Sequence, residues 1–261
     1  MFFRPFRVKA FQPQILRFDS LSSTNTEAAR QALHGSEEGL CIVAKEQTAG
    51  RGRLQRAWVS LTGAGLYFSI VLRPVVDAPR WSLLPLMAAL AVHDALREAC
   101  ELETDIKWPN DILVGERKLC GILAETIDTN IGRAAIVGIG INLTSKAFPV
   151  ELRETATSVE AATGKAFEPE TVLLSLVRAL QSRYQMFQTE AGGAEIILEW
   201  SRRSTYANGK RVRVSNGNET FVGVTRGLEP DGALRVKTDA GEIKVVRAGD
   251  VTIVRPSESS V

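Results

Sequence analysis

The segment Thr48-Ala49-Gly50-Arg51-Gly52-Arg53 interleaves two arginines with two glycines. Glycine lets a backbone approach a ligand closely, and arginine supplies fixed, always-charged donors for carboxylate or phosphate. Two further segments follow in order: Lys107-Trp108-Pro109-Asn110-Asp111, with Lys118 just beyond, and Gly138-Ile139-Gly140-Ile141-Asn142. Chemistry suited to such residues is the bringing together of two anions, which needs cations at their junction. The familiar phosphate loops are absent, because Gly138-Ile139-Gly140 lacks the G-x-G-x-x-G spacing and no G-x-x-x-x-G-K-[ST] occurs.

Bulk properties narrow the classes. With 261 residues, 44% of them hydrophobic, the chain can bury a full core in one large domain, or in a medium one plus a small one. A net charge of +2 argues against a dedicated nucleic-acid binder. Cys41, Cys100 and Cys120 form an odd set without a close pair, which fits reduced thiols in a cytosol. Two histidines, His34 and His93, offer no zinc spacing. Neither a signal-peptide core nor a run of about 20 apolar residues is present, so a cytoplasmic protein without membrane association is expected.

The elements that must position these residues are readable in outline. Residues 1–10 read as a loose arm and Ile15 to Phe18 as a short strand. A helix opens at Ser23-Thr24-Asn25, with Thr24 and Glu27 in capping-box spacing, and ends near His34-Gly35. Leu40 to Ala44 and Leu66 to Leu72 read as strands, and Leu83 to Cys100 as a mostly buried helix. Ile112 to Val114 and Arg117 to Ala124 flank Gly115-Glu116, a pair suited to a type II′ hairpin turn. Ala134 to Leu143 is a further strand. Pro169 starts a long helix to about Phe187, and a shorter one follows near Glu195 to Trp200. After Arg203 the turn pairs Asn208-Gly209, Asn216-Gly217, Asp231-Gly232 and Ala240-Gly241 separate short β-rich runs, which predicts a small barrel. The expected organisation is 1–207, 208–256 and a disordered tail at 257–261. From Arg202 onward there are 11 Lys and Arg against 7 Asp and Glu. That excess is either a solvated surface or a help in holding phosphates or an acidic partner.

Ser23-Thr24-Asn25, Gln47 to Arg53, Trp58, Lys107 to Asp111, Lys118 to Gly121 and Gly138 to Asn142 resemble biotin protein ligase, in order, along most of residues 20–145. The resemblance implies an α+β fold: a mixed sheet flanked by helices, of the class II aminoacyl-tRNA synthetase/biotin synthetase-like kind, with a small C-terminal SH3-like barrel. It implies biotin and ATP as substrates, with Mg²⁺. Biotinyl-5′-AMP and pyrophosphate form first, and biotin then passes to a lysine of a biotin carboxyl carrier domain. By that resemblance Arg51, Arg53 and Lys118 are the catalytic cations. Biotin falls to Ser23, Thr24, Asn25, Gln47, Arg51, Gly52, Arg53, Lys118 and Gly121. The nucleotide falls to Arg51, Arg53, Arg56, Trp58, Asn110, Lys118 and Asn142, and Mg²⁺ to Asp111. A homodimer is common among such proteins, and an exposed sheet edge could pair.

Each residue type also has a plainer reading. Ser23, Thr24 and Asn25 suit a helix start without any ligand, and Asn110 and Asp111 suit a turn. Trp58 is either core or a stacking surface for adenine. Lys118 is otherwise a surface strand lysine, with Arg117 on the opposite face. Lys107 is read as support and Trp108 as core. The family usually continues from Arg53 with a glycine-arginine pair, where this chain has Gln55-Arg56, so the loop is expected to be stiffer. About 20 residues precede Ser22, too few for the DNA-binding domain that some members carry, and no sequence-specific DNA binding is expected. A lipoate or octanoate ligase of related architecture is the nearest alternative, but it would need an apolar channel for a fatty chain. An RNA-binding adapter is disfavoured by the low charge and by a barrel without dense aromatic interleaving.

Overall fold

In the computed structural model, which describes residues 11–145, 148–217 and 219–254, a seven-stranded mixed sheet carries the chemistry-bearing segments. Its strands are β1 (Gln14–Leu21), β2 (Leu40–Gln47), β3 (Gly65–Leu72), β4 (Asp105–Lys107), β5 (Asp111–Val114), β6 (Arg117–Thr129) and β7 (Gly132–Asn142). The spatial order is β1-β2-β3-β7-β6-β5-β4. Only β1 and β2 run parallel, and α1 (Thr24–Leu33) joins them, as a crossover must. Gly115 takes φ 60° and Glu116 keeps a negative φ, which is the torsion pattern of the expected type II′ turn.

The two faces of the sheet differ. α2 (Leu84–Cys100) covers one face, its buried positions running from Leu84 through Ala91 without a polar gap. Behind it pack α4 (Pro169–Phe187) and α5 (Gly192–Arg203). The other face is covered only in part. There α1 lays Ala28 and Ala32 against Ile42, Val71 and Ile136, and the rest of that face stays open. A short α3 (Val159–Thr163) follows the sheet.

The C-terminal unit is a five-stranded antiparallel sheet of β8 (Asn208–Ser215), β9 (Thr220–Leu228), β10 (Leu234–Thr238), β11 (Ile243–Val246) and β12 (Asp250–Ile253), in the order β11-β10-β9-β8-β12. Val212, Val214, Leu234, Val236 and Val251 continue the same buried cluster as the large sheet. Trp108 Nε1 donates to the Gly232 carbonyl at 2.9 Å across the junction, which fits its expected place in the core.

Several sequence-based expectations change. Thr24 is not a cap: Ser23 holds that position without a side-chain bond, Glu27 pairs with Arg30, and Thr24 turns to Gln47 instead. Asn208-Gly209 lies inside β8 beside a register shift, not in a turn between strands. β4, β12 and α3 are too short to leave a periodic pattern and were not anticipated. The N-terminal arm and the tail at 257–261 lie outside the described residues.

Candidate active site

Strand register builds the floor of the site. One transverse row of the sheet reads Lys107, Asp111, Gly121, Gly140, Tyr67 across β4, β5, β6, β7 and β3. The next row on the same face pairs Leu123 with Gly138 and Gly138 with Ser69. Glycines at three of these positions leave the open face flat. A Cβ at Gly140 would lie 2.5 Å from the Trp58 indole nitrogen, one at Gly121 would lie 3.0 Å from the Trp58 ring, and one at Gly138 would overlap the Asn25 amide. Trp58 and Asn25 therefore rest on backbone where side chains would otherwise stand.

Above this floor lies a cavity of about 570 Å³, and all fourteen residues singled out from the sequence line it. Arg53, Lys118 and Asn142, from three separate parts of the chain, share that space.

One end of the cavity is neutral. Ser23, Thr24, Asn25 and Ser69 are buried. The Thr24 backbone N–H and hydroxyl donate to Gln47 Oε1 at 2.8 and 3.1 Å. Gln47 Nε2 donates to Ser60 Oγ at 2.7 Å. Ser69 Oγ stands 2.7 Å from Thr24 Oγ1 and 2.6 Å from Asn25 Oδ1, its single proton serving one of them at a time. Such a set of neutral donors and acceptors suits a neutral polar ligand group.

Cations line the same cavity, several of them beside carboxylates. Arg51 forms a two-pronged pair with Glu125 at 3.0 and 2.7 Å. Arg56 pairs with Asp250 of β12, and Lys118 Nζ lies 2.6 Å from Asp111 Oδ1. Arg53 differs: it donates to neutral groups, Asn110 Oδ1 at 3.2 Å and the Gly249 carbonyl at 3.3 Å. Burial holds the Arg53 pKa below its ordinary value, and burial does the same for Lys107, with Asp111 pulling the other way. Desolvated cations facing a cavity favour an incoming anion. Lys118 Nζ also stands 5.3 Å from the centre of the Trp58 ring, within cation–π range.

The loop carrying the arginines stays tight although Gln55 stands where the family usually has glycine. Leu54 and Gln55 both take left-handed torsions, φ 54° and 61°. A non-glycine residue pays roughly 1–2 kcal/mol for that conformation. The chain thus keeps a turn that glycine at position 55 would make without strain. Gly52 N–H donates to the Arg56 carbonyl at 2.7 Å and closes it.

Asn142 is held by its amide nitrogen, which donates to the Thr157 carbonyl at 3.0 Å. Asn110 is likewise a brace, donating to the Ile122 carbonyl at 2.5 Å while it accepts from Arg53. Trp58 meets both of its readings: one face lies on the glycine floor, the ring lines the cavity, and its buried Nε1 has no protein partner. Arg117 is exposed, as the alternation predicted.

Sequence reasoning missed Ser60, Ser69, Glu125 and Asp250, together with the segment Thr155–Thr157, which pairs with β6 at Lys118 and walls the cavity. Ser69 sits in an apolar strand, where alternation alone puts it on the open face. The others carried no signal, since isolated carboxylates and loop residues look alike in sequence.

Comparisons with known proteins agree with this geometry. The model of the Biotin/lipoate A/B protein ligase family matches residues 17–142, and that of the Biotin protein ligase C terminal domain matches residues 208–254. The bifunctional ligase/repressor BirA of Bacillus subtilis (strain 168) is 37% identical over 246 residues, covering 92% of this chain and 74% of that protein. The biotin--[acetyl-CoA-carboxylase] ligase of Paracoccus denitrificans is 37% identical over 237 residues, covering 88% of this chain and 96% of the relative. The structure of the biotin protein ligase from Aquifex aeolicus in complex with biotin and ATP superposes with a TM-score of 0.79 at 31% identity, over 94% of this chain and 100% of that one. With a buried neutral cluster and several cations lining one cavity, and with relatives aligned along nearly its whole length, the chain belongs to the biotin protein ligases of the biotin/lipoate A/B protein ligase family.

Proposed function

We propose that this chain activates biotin with ATP and passes it to a lysine of a biotin carboxyl carrier domain. One observation carries the reading: a buried neutral cluster and three or more cations line a single cavity. Biotin has the same polarity, a neutral urea at one end and a carboxylate at the other. Ser23, Thr24, Asn25 and Gln47 would receive the urea, which favours biotin over a lipoyl or octanoyl chain.

Arg51, Arg53 and Lys118 would hold the carboxylate against the α-phosphate. A carboxylate oxygen attacks that phosphorus, the bond to the β-phosphate oxygen breaks, and pyrophosphate leaves. The cations act by lowering the cost of the charge gathered in the transition state. In the second step the lysine amine attacks the acyl carbonyl, AMP leaves and the amine loses a proton. Gly52 and the closed loop would keep water from the mixed anhydride. Trp58, Arg56, Asn110 and Asn142 would hold the nucleotide.

The donor set fits a Mg²⁺ that arrives on the triphosphate, not one caged by protein. Asp111 is a single carboxylate beside Lys118, and among the described residues no three His, Cys, Asp or Glu gather as a metal site. When bound, the ion would withdraw charge from the phosphate oxygens, with Asp111 holding it.

We assign the chemistry to residues 1–207 and a bracing role to 208–256, through Asp250 and Gly249. Cys41, Cys100 and Cys120 are buried and unpaired, which supports a reducing, cytoplasmic setting. Among the described residues no helix is long and apolar enough to cross a membrane. The outer strands β1 and β4 offer edges on which a second copy could pair, which sedimentation velocity would test.

The deciding experiment is pyrophosphate release that requires both biotin and ATP, followed by transfer of labelled biotin to a carrier-domain lysine. Release that follows lipoate and ignores biotin would sink the reading.

A further inference from the structure

We infer that Glu125 is a positioning residue that couples the neutral floor to the Arg51 loop, so that filling the floor sets where that cation stands. The inference rests on the biotin-ligase reading above. Glu125 lies on β6 opposite Ile136, on the same sheet face as Gly121 and Leu123. It does not itself line the cavity.

Its Oε1 accepts from Arg51 Nη1 at 3.0 Å and its Oε2 from Arg51 Nη2 at 2.7 Å. This fork-to-fork geometry fixes the direction of the guanidinium as well as its distance. The same Oε2 accepts from Asn25 Nδ2 at 2.8 Å. Asn25 in turn faces Ser69, and through it Thr24 and Gln47. A part-exposed ion pair alone would contribute little and hold nothing firmly. Here one partner of the carboxylate is a buried amide, seated where only glycine at position 138 leaves room for it. The carboxylate therefore takes its place from the floor, and the loop takes its place from the carboxylate. A ligand that reorders Asn25 is felt at Arg51 through one intervening side chain.

Glu125→Gln tests this, because it keeps an acceptor for Asn25 and nearly the same shape while removing the charged fork for Arg51. Trypsin reads the loop, since it cuts after Arg51, Arg53 and Arg56. In the parent, biotin should protect these bonds. In Glu125→Gln that protection should be lost, and preformed biotinyl-5′-AMP should escape about tenfold faster, which corresponds to about 1.4 kcal/mol. The thermal midpoint should stay within about 4 °C of the parent, so that a general loss of structure is not the cause. Glu125→Asp, which keeps the charge on a shorter arm, should recover part of the retention. If Glu125→Gln does not fold, Glu125→Asp carries the comparison alone against the parent. A variant with parental loop protection and parental adenylate retention overturns the inference. A parent that forms no biotinyl-5′-AMP overturns the functional reading first, and this inference with it.

Discussion

At the floor of the cavity Thr24, Asn25 and Ser69 are buried and bonded to one another, whereas at its rim Arg51, Arg56 and Lys118 are partly exposed and each rests on a carboxylate. The two regions solve different problems. A neutral ligand group gains little from each hydrogen bond, so its donors and acceptors must be placed beforehand and kept dry. An anion is attracted over a longer range, and its cations can wait on exchangeable partners. Part-exposed ion pairs are worth about 0–1 kcal/mol, so giving up Asp250 or Asp111 for a phosphate costs little, whereas Glu125 is also held from the floor by Asn25. Arg53 is the exception that links the regions, because it waits on Asn110 and a carbonyl. Of Arg51, Arg53 and Lys118, it alone has no carboxylate at ion-pair distance among the described residues.

The largest test of this contrast is Lys118→Ala. Removing a cation aimed at developing charge should lower kcat for biotin-dependent pyrophosphate release by about 10² to 10³-fold. Biotin binding measured calorimetrically should change far less, because the floor is intact. Equal losses in both would mean that rim and floor are one unit.

Arg53→Gly comes next. Loss of charge-assisted bonds worth about 1.5–3 kcal/mol should let the adenylate escape roughly 10- to 150-fold faster. Trapping of released adenylate measures this directly, and parental retention would remove Arg53 from the role given it.

A pair of alanines separates the two ends more finely. Gly138→Ala crowds Asn25 and should weaken biotin more than ATP, while Gly140→Ala crowds Trp58 and should do the reverse. Each should also cost about 1–3 kcal/mol of stability through overpacking. Matched losses of both ligands in both variants would dissolve the distinction.

Asp250→Asn should have the smallest effect. It frees Arg56 from an exposed partner, and the stability change should stay within about 1 kcal/mol. Chemical denaturation checks it, and a drop several times larger would make the contact between the two sheets a structural clamp.

How much of this could be read beforehand varied with the kind of signal. The helix from Pro169 to about Phe187 was placed closely, because a first-turn proline marks its start and a long amphipathic run its extent. β4 was missed, since three residues hold no period. Arg51 and Arg53 stood out because arginines interleaved with glycine are unusual, and Lys118 through the resemblance of its segment to the family. Glu125 did not, because a glutamate in an alternating strand looks like ordinary solvent-facing surface. The Thr24–Glu27 capping box was a local pattern that tertiary bonding overrode, with Gln47 claiming the hydroxyl. Gln55 kept a glycine-like torsion that composition gave no reason to expect.

Residue types and their spacing alone determined that this chain carries cations, glycines and neutral hydroxyls in an order suited to joining an acid to a nucleotide. They also determined most helices and strands, because hydrophobic period and turn chemistry act over a few residues. Only the tertiary structure decided that Gly121, Gly138 and Gly140 form one floor, and which carboxylate each cation waits on. The reason is that register between strands is set by packing across the whole sheet, and no local stretch of sequence contains that information.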